Sequence, residues 1–284
     1  MAYLEPALVD AVLDRLGLPD APGRDAAGLA TLYDAWCRAV PFDNVRKRIA
    51  VHAGDPGPLP GDAPDEFLRA WLNHGVGGTC WAGNGALCAL LQALGFDAHR
   101  GVATMLVAPD LPPNHGTVVV SLPEGPYVVD ASILHVEPLP VADGETVELD
   151  HPAWGVTGHW QDGQFAIRWR GLTVPEPFDC RIEEWPVDAG RFREQHEMTR
   201  TWSPFNYELT FTTIRGDERV GIARGQAVRI DAAGTVHAEP LTDRLGWLID
   251  GLGVEASLAR LVPEDEPTPP PPGSRTAGAG SAAR

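Results

Sequence analysis

Cys80 follows a glycine-rich run, Gly75-Val76-Gly77-Gly78-Thr79-Cys80-Trp81-Ala82-Gly83-Asn84. Glycine lacks the Cβ that forbids positive φ, so the chain can turn sharply just ahead of the cysteine. Beyond it, Leu87, Leu90, Leu91 and Leu94 recur at i, i+3, i+4 and i+7, which predicts a helix with Gly95 as its stop. Cys80 is therefore expected near a helix N-terminus, where unpaired N–H groups and the helix dipole favour a thiolate over a thiol. Asn114-His115 precedes the strand-like Thr117-Val118-Val119-Val120-Ser121, and a Pro-Glu-Gly turn at 123–125 leads into Tyr127-Val128-Val129-Asp130. Strands joined by so tight a turn are antiparallel neighbours. His115 and Asp130 flank that turn and can lie side by side at the open end of the hairpin. A cysteine to attack, a histidine to take its proton and an aspartate to orient the histidine form an activated-nucleophile arrangement.

The elements that must position these groups divide into a helical first part and a strand-rich second part. Val9, Val12, Leu13 and Leu16 give one amphipathic stripe, and Leu29, Leu32, Tyr33 and Trp36 give another behind Asp25, a good N-cap. Pro41-Phe42-Asp43-Asn44 ends the second helix, because proline disfavours helix at the residue before it. A Gly-, Pro- and Asp-rich loop covers 53–64, and Phe67, Leu68, Trp71 and Leu72 suggest a short helix before Gly75. Strands are expected at 99–107, 117–121, 127–130, 146–149, 165–169, 207–214, 219–224 and 227–230, with hairpin signals at Asp162-Gly163 and Arg215-Gly216-Asp217. A helix is expected at 188–200, and Leu245, Leu248, Ile249 and Leu252 return to helical spacing behind Thr242. The fold class is α+β: a helical bundle at 1–97 carrying Cys80, an antiparallel β-barrel at 98–187 carrying His115 and Asp130, an α/β lid at 188–262, and a disordered tail at 263–284 that contains four consecutive prolines.

Composition narrows the function. Of 284 residues, 44% are hydrophobic and 21% charged, ordinary for a soluble globular chain. The net charge of −17 argues against nucleic acid as a partner, since phosphate neutralisation needs clustered Lys and Arg. No apolar run approaches a membrane span, and Met1-Ala2-Tyr3-Leu4-Glu5-Pro6 has no signal-peptide pattern, so a cytoplasmic location is expected. Cys37, Cys80, Cys88 and Cys180 make no Cys-x-x-Cys pair, and neither a disulfide framework nor a metal site is expected. Cys37 and Cys88 sit among apolar helix positions and read as core residues. Apart from His115, the histidines (His52, His74, His99, His135, His151, His159, His196 and His237) have no neighbouring sequence context that points to chemistry.

Several phrases resemble the arylamine N-acetyltransferases. The family's Arg-Gly-Gly-x-Cys-(Phe/Tyr)-Glu-x-Asn is similar to Val76-Gly77-Gly78-Thr79-Cys80-Trp81-Ala82-Gly83-Asn84, followed by Ala93-Leu94-Gly95-Phe96. Its Pro-Phe-Glu-Asn resembles Pro41-Phe42-Asp43-Asn44, and its opening phrase resembles Leu13-Asp14-Arg15-Leu16-Gly17-Leu18. Its histidine and Val-Asp strand match His115 and Val129-Asp130, and the resemblance runs over roughly 5–215. It implies a helical domain, a barrel and a lid around a cysteine-protease-like Cys-His-Asp core. It also implies ping-pong transfer of an acetyl or other acyl group from coenzyme A, through a Cys80 thioester, to a small-molecule amine such as an arylamine. No bound cofactor is implied; acetyl coenzyme A is a co-substrate. Phe42 would line the acceptor pocket, and Phe205 would match an aromatic near the acyl cleft.

The chain departs from the family at Val76, where the Arg is missing, at Ala82, where the Glu is missing, and at Ala131-Ser132-Ile133-Leu134, where a Val-Gly-Phe-Gly is replaced. Those glycines belong to the loop that lets coenzyme A phosphates approach the backbone. Their loss keeps open a second reading, an amide-forming acyltransferase or thioesterase supplied by a carrier-bound donor such as an acyl carrier protein. A non-catalytic binding protein on the same scaffold is the third, and retention of all three triad residues argues against it. Arg46-Lys47-Arg48 is the one basic cluster, expected on a solvated loop, with coenzyme A phosphates as its alternative partner.

Overall fold

The computed structural model describes residues 4–108, 111–173 and 176–270. Five helices open the chain: α1 (Pro6–Arg15), α2 (Ala26–Ala39), α3 (Val45–His52), α4 (Pro64–His74) and α5 (Cys80–Ala93). The Asp25 carboxylate accepts from Gly28 N at 2.8 Å, the capping bond its position predicts. Leu29, Leu32, Tyr33 and Trp36 are buried along α2. Helix α5 has no charged side chain and is buried from Cys80 through Leu91, as befits a helix that is apolar all round.

The first sheet consists of β2 (Asp97–Met105), β3 (His115–Leu122), β4 (Gly125–Val129), β5 (Leu139–Pro140), β6 (Val147–Leu149), β7 (Val156–Gln161), β8 (Gln164–Trp169) and β9 (Phe178–Val187). Its order is β5-β4-β3-β2-β9-β8-β7-β6 with antiparallel neighbours, and β5 and β6 approach each other so that the barrel nearly closes. Val119 points into the barrel with Val128, Phe165 and Ile167, while Val118 and Val120 pack with the α5 leucines. Both faces of β3 are buried, which is why its sequence is an unbroken apolar run rather than an alternation.

Helix α6 (Ala189–Met198) follows the barrel, and the second sheet is built from β1 (Phe42–Asp43), β10 (Phe211–Arg215), β11 (Glu218–Ala223), β12 (Gln226–Ile230) and β13 (Val236–Pro240), in that order. The two-residue strand after α2 therefore belongs to the C-terminal sheet, with Phe42 opposite Thr212 and Asp43 opposite Phe211. Short helical turns at Arg244–Gly246, Trp247–Gly251 and Ala256–Ala259 close the fold. Among the described residues, no helix is long and apolar enough to cross a membrane.

The structure corrects three expectations. Residues 46–48 lie in α3, not on a solvated loop, and Lys47 and Arg48 are only 4% and 1% exposed. Asn44 anchors this helix start: its amide donates to Phe205 O and Glu208 O and accepts from Thr210 N. Residues 263–270, expected within a disordered tail, run along the protein: Asp265 pairs with Arg48 at 2.6 Å, Glu266 N donates to Tyr207 O, and Trp202 Nε1 donates to Pro269 O. A buried guanidinium needs a carboxylate, and a composition-based reading cannot see that a distant arginine supplies the reason for order. The remaining tail, 271–284, lies outside the described residues. Finally, Asp243 rather than Thr242 caps the C-terminal helical turn, accepting from Gly246 N.

The β11–β12 hairpin places Arg224 at φ 53° and Gly225 at φ 67°. Two positive φ values in succession suit Asn-Gly, and a side chain such as arginine is strained there. Arg224 is exposed and its replacement sacrifices no core contact. Arg224→Asn is expected to stabilise the protein by about 0.5–1 kcal/mol in urea unfolding.

Candidate active site

Cys80 is the first residue of α5, behind Thr79 in extended conformation. The glycine turn ahead of it packs directly on the β1 segment. A Cβ at Gly77 would stand 1.9 Å from Pro41 O, so only glycine allows this approach. Asp43 N donates to Gly78 O at 3.1 Å, and the buried Asp43 carboxylate accepts from Gly77 N at 2.6 Å and Val45 N at 3.0 Å. Burial pushes the Asp43 carboxyl up to about 6, while the two N–H bonds and the charge of Arg46 oppose the rise. The carboxylate thus finds backbone donors where the family pattern offers an arginine. Val76 instead joins an apolar cluster with Val45, Leu209, Ile222 and Leu248. Ala82 is just as closely fitted: a Cβ added at Gly61 would lie 2.5 Å from its Cβ. The 53–64 loop therefore packs where a glutamate side chain would otherwise project.

His115 opens β3 and Asp130 follows β4, one step beyond the Val118–Val129 pair. The His115 Nε2 to Asp130 Oδ2 distance is 2.7 Å, with both side chains 2% exposed or less. Asp130 Oδ1 accepts from Ser132 N and Ile133 N at 2.8 and 3.0 Å, and Asn84 Nδ2 lies 3.4 Å away. Asn84 also donates to Gly116 O and accepts from Ala131 N, which ties α5 to both strands of the hairpin. On the far side, the Tyr33 hydroxyl donates to Asp130 O and accepts from Asp130 N. With Nε2 committed to Asp130, Nδ1 is the ring nitrogen left for Cys80, and an interaction with the Cys80 thiol contributes to the state of the imidazole.

The electrostatics follow from this pairing. Burial alone lowers the pKa of His115, but the charge and hydrogen bond of Asp130, with help from Cys80, carry it well above the ordinary histidine range. Burial alone raises Asp130, and His115 with the Ser132 and Ile133 amides brings it below the ordinary carboxyl range. The favoured state of the two is an imidazolium–carboxylate pair. Its histidine contribution to stability is complete below an unfolded pKa of about 6.5 and fades as pH rises through the higher folded value. Its aspartate contribution is complete above about 3.9 and fades as pH falls through the lower folded value. The stability lost in His115→Gln, followed by urea unfolding, is therefore expected to be largest between about pH 4 and 6.5, at about 3–5 kcal/mol, and to shrink on both sides.

Phe42 and Phe205 meet edge to face at 5.3 Å between ring centroids, close to the glycine turn because Phe42 bridges Gly78. Trp81 and Phe192 of α6 form a second edge-to-face pair at 5.0 Å. A Cβ at Gly116 would overlap both rings, so the residue beside His115 must be small for α6 to close over this point. In the 131–134 segment, Leu134 holds φ 56° without being glycine, and its fully buried side chain keeps it there. Local patterns missed several residues around the site. Asn84 lay inside the cysteine phrase, and that was its one signal; Tyr33 and Phe192 gave no sign of a place at the site, since each reaches it through tertiary packing.

A buried Cys-His-Asp constellation with the cysteine at a helix start, on a helical bundle packed against an antiparallel barrel, defines a class of protein built for thiol-based acyl chemistry. A family model described as N-acetyltransferase matches residues 25–161. The chain is 25% identical over 244 residues to an arylamine N-acetyltransferase of Mycolicibacterium smegmatis, covering 79% of this chain and 82% of that one. The arylamine N-acetyltransferase of Mycobacterium marinum, solved in complex with CoA, superposes with a TM-score of 0.75 at 19% identity, over 89% of this chain and 97% of that one. The enzyme from Salmonella typhimurium gives 0.73 at 17% identity, over 94% and 96%. The chain is a distant relative of the arylamine N-acetyltransferases and an acyltransferase of that kind.

Proposed function

We propose that this protein transfers an acetyl group from coenzyme A to a small aromatic amine by a ping-pong route through Cys80. The observation that carries the reading is the buried His115–Asp130 pair beside a cysteine at the start of α5. Sγ attacks the thioester carbonyl while His115, as imidazolium, holds the proton that Cys80 gives up. Unpaired N–H groups in the first turn of α5 stabilise the oxyanion. Collapse breaks the bond to the coenzyme A sulfur, which leaves with the proton from His115. In the second half, the amine nitrogen attacks the Cys80 thioester, His115 takes the amine proton, and Sγ leaves as the amide forms. Thioester exchange between two thiols is nearly isoenergetic, and aminolysis is downhill, so the sequence needs no other energy source. Arylamines are uncharged near neutral pH and reach Cys80 as nucleophiles without first losing a proton. Phe42 and Phe205 supply an apolar wall for the acceptor ring.

The segment 131–134 favours a second reading, in which the donor is a carrier-bound thioester and the product is an amide of a biosynthetic intermediate. Side chains stand there where the family has glycines, and Leu134 is fully buried. Intact-protein mass spectrometry after incubation with acetyl coenzyme A separates the two. One added acetyl in the wild type and none in Cys80→Ala supports coenzyme A as donor. A readily alkylated Cys80 that gains no acetyl moves the assignment to the carrier-bound donor, and a Cys80→Ala protein that still acquires the acetyl overturns both.

A further inference from the structure

Lys47 is the one lysine in this protein, and it is placed where lysines are rarely found. It sits on α3, three residues beyond Asn44, with 4% of its surface exposed. Its Nζ donates to Thr199 Oγ1 at 2.8 Å. That hydroxyl gives its own proton to His196 O at 2.7 Å and offers Lys47 no negative charge. Among the described residues, no carboxylate lies within salt-bridge distance of Lys47. The nearby Glu197 is spent on Arg200 and on Leu59 N. A protonated Lys47 has three donors, of which the described residues satisfy one. Next to it on α6 is His196, 3% exposed, whose Nε2 is buried without a hydrogen-bond partner. Phe192, one turn before His196 on α6, packs against Trp81 next to Cys80, and Asp43, two residues before α3, holds the glycine turn ahead of Cys80, so Lys47 and His196 sit on the two helices anchored around the cysteine.

A buried cation with unfilled donors and no counter-charge is costly to keep unless something else supplies the anion. We propose that Lys47 and His196 form a carboxylate-binding subsite beside Cys80, so that the preferred substrate carries an anionic carboxylate on either the acyl group or the amine acceptor. Burial, reinforced by Arg200, holds the Lys47 amine down to about 7 against the pull of Cys80 and Glu197, so an arriving anion meets a group poised to take up a proton. Lys47 binds the carboxylate as an ammonium, and His196 Nε2 supplies the second hydrogen bond. Phe42 and Phe205 stay with the aromatic or apolar portion of the substrate. This inference rests on the reading of Cys80 as the acylated nucleophile.

The first test needs no turnover. Cys80 is alkylated with iodoacetate and with iodoacetamide, and the ratio of the two rate constants is measured by intact mass in wild type, Lys47→Met and Lys47→Gln. The subsite predicts a ratio at least tenfold higher in wild type than in either variant. A purely structural lysine slows both reagents together and leaves the ratio unchanged, which overturns the subsite while leaving Cys80 as the nucleophile. A Cys80 inert to both reagents overturns the proposed function, and the subsite falls with it. The source of the carboxylate is then read on the wild type. Faster acylation by succinyl than by acetyl coenzyme A assigns it to the acyl group; faster deacylation by 4-aminobenzoate than by 4-aminobenzamide assigns it to the acceptor. No preference in either arm overturns the subsite.

Discussion

Replacing Cys80 by alanine removes the acyl-enzyme and lowers turnover on the order of 10⁴-fold or more, with the fold intact. The expectation has a chemical and a structural half. Chemically, the proposed route passes entirely through the Cys80 sulfur, and an alanine leaves His115 and Asp130 with no nucleophile to activate. Water held in the vacated space would be a poor substitute, because acyl transfer to an amine would then lack the covalent intermediate that splits it into two easier steps. Structurally, the change removes one atom from a side chain that is already 6% exposed at the start of α5. The glycine turn keeps its bonds to Asp43, and the helix keeps its first hydrogen bond from Gly83 N to Thr79 O. A stability change within about 1 kcal/mol is expected. Steady-state acetyl transfer and urea unfolding, measured on the same preparation, check both halves. Full turnover by Cys80→Ala would remove the mechanism.

Asp130→Asn is expected to cost on the order of 10³–10⁴-fold in turnover while leaving Cys80 in place. The aspartate does two jobs with its two oxygens. Oδ1 is held by the amides of Ser132 and Ile133, which an asparagine carbonyl oxygen can still satisfy. That fixes the amide orientation and puts Nδ2 where Oδ2 now meets His115 Nε2. An NH₂ group cannot accept, so it must donate to Nε2, and the imidazole is forced to carry its proton on Nδ1. The nitrogen facing Cys80 is then a donor and can no longer take the thiol proton; an analogous swap in serine proteases has an effect of about 10⁴. Loss of the carboxylate charge also removes the main cause of the raised His115 pKa. Two measurements separate this from simple unfolding. Iodoacetamide alkylation of Cys80 near neutral pH should slow, and its pH dependence should shift upward; a variant that alkylates like wild type would show that Asp130 serves only to hold the loop.

The departures from the family pattern are compensated in specific ways. Val76 would be a defect if Asp43 needed an arginine, but Gly77 N and Val45 N already satisfy both carboxylate oxygens. Ala82 replaces a glutamate in the same neighbourhood and permits the contact with Gly61. The 53–64 loop is held over this point by α6 and the turn after it: Arg200 donates to Asp55 O and Gly57 O, Glu197 accepts from Leu59 N, and Arg193 pairs with Asp62. Backbone bonds and a loop clamp hold this region where the chain departs from the family pattern, with the His115–Asp130 pair left standing.

Local sequence carried the pieces whose physics is local. A leucine repeat with a glycine stop defined α5, Asp25 announced a helix start, and a tight turn between two apolar runs brought His115 and Asp130 to one end of a hairpin. Each depends on backbone conformation and periodicity over fewer than about 20 residues, where side-chain pattern and secondary structure are directly coupled. Several of the strands that were missed lacked that pattern. β1 and β5 are two residues long, and β9 mixes inward Cys180 and Ile182 with outward Arg181 and Glu183 in a charged context. Packing between distant elements decided the rest. The hairpin's open end is aimed at the start of α5 by Asn84 and Tyr33, the latter 97 residues from its partner. Arg46-Lys47-Arg48 reads as a basic surface cluster, yet α3 buries two of its members because Asp265 lies over one and α6 over the other. A charged residue's burial is set by what the folded chain lays on top of it, and that partner can sit more than 200 residues away, as Asp265 does from Arg48.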